Sequence, residues 1–86
     1  MNLPYCVYVL RSDRDGNLYT GFTTDLDERF KRHSEGFVPA TALRRPLRLI
    51  YCEYHLSKQD ALRRERYFKT SAGKKALKLM LRHALG

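Results

Sequence analysis

Residues 5–22 read YCVYVLRSDRDGNLYTGF, and the fold is decided there. Tyr5 to Arg11 is a run of β-branched and aromatic residues, the composition of a strand. Asp15, Gly16 and Asn17 supply turn chemistry. Residues 17–22, NLYTGF, form a second short run of strand character. A connection of about five residues between the runs predicts an antiparallel hairpin. Tyr5, Val7 and Val9 share one face of the first strand; Cys6, Tyr8 and Leu10 share the other. Gly21 stands near the end of the second strand, where a missing side chain permits close approach or a sharp exit.

Outward from the hairpin, Thr23-Thr24-Asp25 starts a helix, with Thr24 or its neighbour as cap and acids at 25, 27 and 28 in the first turn. This helix is expected over about 25–35, ending near Gly36. Residues 37–46 form an irregular basic connection holding Pro39, Pro46, Arg44 and Arg45. Residues 47–54, LRLIYCEY, give a third strand. The first helix could serve as a crossover to a parallel strand, so strand spacing alone leaves the sheet order open. A helix from Ser57 to about 70, a link at Ser71-Ala72-Gly73 and a last helix over about 74–84 complete the chain. The order β-β-α-β-α-α predicts an α/β (α+β) fold: a small sheet with helices packed on it, in a single domain spanning 1–86 with its core over about 4–84.

The chain has 86 residues, 43% hydrophobic and 30% charged, as suits one small folded domain rather than disorder. Its net charge is +8, a large excess that favours an anionic partner. The charge is uneven. Residues 1–28 hold two basic and five acidic residues, net −3; residues 29–86 hold fifteen basic and four acidic, net +11. No apolar run approaches the roughly 20 residues of a membrane span, and the N-terminus lacks the pattern of a secretory signal. Cys6 and Cys52 sit in strand-like runs outside any CxxC pair, where buried thiols are expected. Two cysteines and three scattered histidines form no zinc spacing. These features point to a reducing, cytoplasmic setting.

The placement of polar residues is more telling. At about 100° per residue, Leu26, Phe30 and Phe37 point in one direction, with Phe37 at or past the end of the first helix, and Arg29 and His33 share a face beside that stripe. On the second helix, Ala61, Leu62 and Phe68 mark the apolar side, and Glu65 falls among them while Arg63, Arg66 and Tyr67 point away. An inward carboxylate is costly unless it is paired or binds a cation. Lys69, one turn on, offers the pairing; a metal-binding or catalytic role is the alternative. The last helix sets Ala76, Leu77, Met80, Leu81 and Ala84 against Lys74, Lys75, Lys78 and Arg82. Those cations either meet phosphates or stay solvated.

Val7-Tyr8-Val9, followed by Tyr19-Thr20-Gly21, resembles the paired motif of the GIY-YIG nuclease superfamily, with valine in place of the first motif's glycine. Leu26-x-x-Arg29-x-x-x-His33 is similar to the family's first helix and its arginine. Asp60-Ala61-Leu62-x-x-Glu65-x-x-x-Lys69 is similar to the later helix that carries the metal-ligating glutamate. Arg44-Arg45-Pro46-Leu47, the stretch at 63–69 and the basic tail after Ser71 bring the chain nearest to the small stand-alone bacterial members. The resemblance implies a three-stranded antiparallel sheet flanked by helices, and so an antiparallel third strand. Two departures stand out. Phe22 occupies a position where repair members often carry lysine, and no asparagine follows the glutamate helix.

The resemblance further implies metal-dependent endonuclease chemistry on DNA, with RNA an open alternative substrate. Glu65 would hold Mg²⁺ or Mn²⁺, a hard cation suited to carboxylate and water. Arg29 would contact the scissile phosphate, and Tyr8 and Tyr19 would line the site. Tyr8 or His33 would act as general base: a free phenol titrates near 10 and a free imidazole near 6.5. Arg44, Arg45, Lys69, Lys74, Lys75 and Lys78 are the expected nucleic-acid contacts. With no separate recognition module, binding should be salt-sensitive and weakly sequence-selective, by a monomer or weak homodimer. The rival readings are a nucleic-acid-binding module on the same fold with weak or lost catalysis, and a small basic interaction protein with no affinity for ions.

Overall fold

Strand β1 spans Tyr5–Ser12, and its residues from Cys6 to Leu10 are at most 1% exposed. A strand buried on both faces needs a near-continuous apolar run, which is what YCVYVL supplies. A computed structural model describes residues 3–86. In it β1 is the middle strand of a three-stranded sheet ordered β2-β1-β3, with β2 at Leu18–Thr23 and β3 at Leu47–His55. Both pairings are antiparallel. The crossover option is thereby removed, and the topology implied by the family resemblance is the one observed.

The hairpin closes through Ser12 N–H to the Asn17 carbonyl (3.0 Å) and Gly16 N–H to the Ser12 carbonyl (2.9 Å). Gly16 takes a φ of +73°, a conformation favourable only to glycine and a few polar residues. The Ser12 hydroxyl accepts from the amides of Arg14 and Asp15 and donates to the Arg44 carbonyl, tying the hairpin tip to the loop before β3.

Helix α1 spans Leu26–Ser34, capped by Asp25, whose carboxylate accepts from Glu28 N–H at 3.2 Å. Asp25 rather than Thr24 is therefore the cap. A short 3₁₀ turn at Ala42–Arg44 leads into β3. Helix α2 spans Lys58–Phe68 with Ser57 as its cap, and α3 spans Ser71–Met80. The expected link at 71–73 is thus the first turn of α3. The Thr70 hydroxyl caps it by accepting from Gly73 N–H at 3.0 Å, a signal that the glycine masks in the sequence. Gly73 is buried against the end of α2, and a Cβ there would stand 1.8 Å from the Tyr67 carbonyl oxygen. The turn between the two helices requires the bare backbone.

The two faces of β1 feed two cores. Val7 and Val9 pack with Ala61, Phe68, Leu77 and Leu81 from α2, α3 and the turn after α3. Cys6, Tyr8 and Leu10 pack with Leu47 and, at the margin, Tyr19, Leu26 and Phe30. Ala84, expected inside, is exposed because α3 ends at Met80 and the helical phase does not extend to 84; Met80, also expected inside, is the last residue of α3 and is exposed too. Cys52, expected to be buried, is exposed. The side of β3 that carries Cys52 and Tyr54 lies open, whereas Tyr51, Glu53 and His55 on its other side are half-buried. No helix among the described residues is long and apolar enough to cross a membrane.

Candidate functional site

Tyr8 is the anchor of the polar residues on the α1 side of the sheet. Its cross-strand partner is Gly21, and a Cβ at that position would lie 2.3 Å from the phenol carbon and oxygen of Tyr8. The glycine lets the ring lie across the neighbouring strand, so Tyr8 and Gly21 are one device. The phenol then meets two residues one turn apart on α1. Its oxygen is 2.8 Å from His33 Nε2, and Arg29 Nε donates to it at 3.3 Å.

His33 has no exposed surface. Its Nδ1 lies 2.7 Å from the hydroxyl of Thr41, which in turn points at the Val38 carbonyl. With the hydroxyl proton turned to Val38, Nδ1–H donates to Thr41 Oγ1 and Nε2 accepts from the phenol of Tyr8. Burial, joined by the charge of Arg29, pushes the imidazole down to about 4. The ring is a neutral acceptor behind Tyr8, unlike the free imidazole near 6.5 on which its candidacy as base rested. Burial raises the phenol of Tyr8, against the bond and charge of Arg29; the negative charge of Glu65 adds a small upward push. The phenol oxygen beside it stabilises the charged guanidinium of Arg29.

Tyr19 on β2 sets its ring edge-on to His33, with centroids 5.3 Å apart. The ammonium of Lys69 is 5.9 Å from the Tyr19 ring centroid and 3.3 Å from a carboxylate oxygen of Glu65. The Glu65 side chain is 19% exposed. The chain Arg29–Tyr8–His33–Tyr19–Lys69–Glu65 therefore runs from α1 past β2 to α2. The inward bias of Glu65 and its pairing with Lys69 are both seen.

Beside this chain lies an open cleft of about 760 Å³, lined by the hairpin tip at Gly16 and Asn17 and by Tyr19, Arg44, Lys69, Lys74 and Lys78. Arg44 is partly committed, its Nε 2.9 Å from Asp15. Two of the expected contacts lie outside the cleft lining. Arg45 turns its Nε to the Ala42 carbonyl, and Lys75 is exposed elsewhere on α3. Thr41 was not singled out from the sequence; it sits in an irregular loop where no periodicity marks a buried residue. A second polar group also escaped notice. Glu53 on β3 accepts from Tyr51 (2.8 Å) and His55 (2.6 Å), and both its oxygens share the Nε–H of Arg64 (3.2 and 3.0 Å).

Among the described residues no three His, Cys, Asp or Glu side chains gather as a metal-binding group. Glu65 is a lone carboxylate. That donor set fits a hydrated Mg²⁺-type ion, which keeps most of its waters and takes one or two carboxylates plus substrate phosphate. It does not fit a zinc or calcium cage.

Residues 4–78 match the family model described as the GIY-YIG catalytic domain. A UPF0213 protein of Staphylococcus saprophyticus is 39% identical over 75 residues, covering 86% of this chain and 90% of that protein. One from Staphylococcus aureus matches with the same identity and coverage. The solution NMR structure of a UPF0213 protein from Bacillus halodurans superposes with a TM-score of 0.57 at 37% identity, covering 88% of this chain and 83% of that one.

Proposed function

From a chain that belongs to the GIY-YIG catalytic-domain family, we propose a nucleic-acid-binding domain whose phosphodiester-cleaving centre is weak and depends on a divalent cation. The observation that carries this reading is the basic cleft lined by Tyr19 and by Lys69, whose ammonium meets Glu65 at 3.3 Å. Lys74 and Lys78, one helical turn apart, are suited to tracking a phosphate backbone. Arg29, with its charge held beside Tyr8, is suited to a phosphate oxygen.

Two features argue that hydrolysis is weak. Tyr8 has no exposed surface, so a water molecule reaches its oxygen only after local opening. A phenol raised by burial is also a poor base at neutral pH. His33 Nε2 holds the phenol by a hydrogen bond, but an imidazole pushed down to about 4 is too weak a base to take its proton. Glu65 would hold Mg²⁺ or Mn²⁺, which would supply charge stabilisation at the phosphate. A second reading, an efficient metal-dependent endonuclease on DNA, is favoured by the hydrogen-bonded approach of Arg29, Tyr8 and His33 next to Glu65.

The test is to incubate the protein with supercoiled, branched and single-stranded DNA, with and without Mg²⁺ or Mn²⁺, beside Glu65→Ala and Arg29→Ala. Salt-sensitive binding with slow, metal-dependent cutting lost in both variants supports the proposal. Fast cutting supports the second reading. No binding to DNA or RNA at low salt would sink both.

A further inference from the structure

Lys69 occupies an unusual position for an i,i+4 partner. It follows α2 as the capping residue, and its ammonium stands between two groups while staying open to solvent: the Glu65 carboxylate at 3.3 Å and the face of Tyr19 at 5.9 Å. It is the one hydrogen-bond donor to Glu65 among the described residues. The carboxylate is largely covered, at 19% exposure, whereas the lysine keeps 53%. A covered charge is screened less than an exposed one, so the ammonium matters more here than in a free surface pair. Lys69 also lines the basic cleft, so its flexible stem can carry the charge from Glu65 into the space a phosphate would fill.

A divalent cation at Glu65 meets this ammonium at a few ångströms, and like charges at that separation repel. We propose that Lys69 is a positioning residue that holds the Glu65 carboxylate closed to divalent cations until an anionic ligand draws its ammonium into the cleft. This inference rests on the part of the preceding reading that puts a cation at Glu65, and not on hydrolysis.

The probe is Mn²⁺ alone, titrated into isotope-labelled protein without nucleic acid. The readout is paramagnetic line broadening around Glu65 and Tyr19. Lys69→Gln is expected to bind Mn²⁺ about fivefold more tightly than the unaltered chain, and Lys69→Arg, which keeps the charge, to bind as weakly as the unaltered chain. Glu65→Gln should abolish the broadening. Equal or weaker binding by Lys69→Gln overturns the proposal. So does broadening that persists in Glu65→Gln, or the absence of Mn²⁺ binding in every variant. If the ranking holds while no variant cuts DNA, the hydrolytic reading fails and this one stands.

Discussion

Tyr51, Glu53, His55 and Arg64 repeat, on the α2 side of the sheet, the residue types found around Tyr8 and Glu65: phenol, carboxylate, imidazole, guanidinium. The two groups are put together differently. Glu53 sits at the centre of its group and accepts from all three neighbours. Burial pushes its carboxyl up, but the bonds from His55, Tyr51 and Arg64 outweigh that and hold it low. Arg64 is further pinned over the Phe68 ring at 4.2 Å. Every charge there is already answered, so the group acts as a strut between β3 and α2. Around Tyr8 the carboxylate is instead set apart from the guanidinium. Among the described residues, the side chain of Arg29 has phenol oxygen as its partner and Glu65 has the ammonium of Lys69. Both are left with capacity for a ligand, and Glu65 is joined through Lys69 to the basic cleft that Lys69 and Tyr19 line. Residue types alone do not distinguish a strut from a site; the location of the unanswered charge does.

Several substitutions break this contrast, taken from the largest effect down. Gly21→Ala drives a Cβ into the Tyr8 ring; a loss of roughly 2–3 kcal/mol in denaturant unfolding is expected, together with loss of nucleic-acid binding at the cleft. Acidification comes next. His33 titrates near 4 in the folded chain against about 6.5 unfolded, so the unfolded state takes up the proton first. The stability contributed by neutral His33 is complete above pH 6.5 and falls as the pH drops towards 4. Between pH 7 and 4.5 the loss is on the order of 2 kcal/mol. In His33→Gln the slope over that window should flatten, as read from urea midpoints.

How far the sequence reached can be judged from these same residues. The hairpin, the order of elements and the Arg29–His33 face were legible because the continuous apolar run of β1, the turn residues after it and the helical period carry them directly. The inward bias of Glu65 followed from its spacing to Ala61 and Phe68. Other features were not legible. The start of α3 was hidden because Gly73 reads as a breaker, although its packing on Tyr67 is why it is there. Thr41 comes from a loop without period. The depressed titration of His33 depends on burial that only the packed α1 face creates.

Smaller effects sharpen the contrast. Glu53→Gln should cost about 1–2 kcal/mol of stability and leave nucleic-acid affinity unchanged, as a strut requires; equal damage to binding would merge the two groups into one site. Lys74→Ala and Lys78→Ala should change unfolding midpoints little. Each should weaken DNA binding by about two- to fivefold and reduce the slope of log affinity against log salt by about one, measured by fluorescence anisotropy.

The most direct measurement maps amide shifts of the labelled protein while a short DNA strand is titrated in at low salt. The account predicts shifts at Tyr19, Arg29, Lys69, Lys74 and Lys78 that vanish at high salt, with Glu53 and Arg64 unmoved. Shifts centred instead on a second, more open pocket, lined by His55, Asp60, Arg63, Arg64 and Tyr67, or no shifts at all, would contradict it.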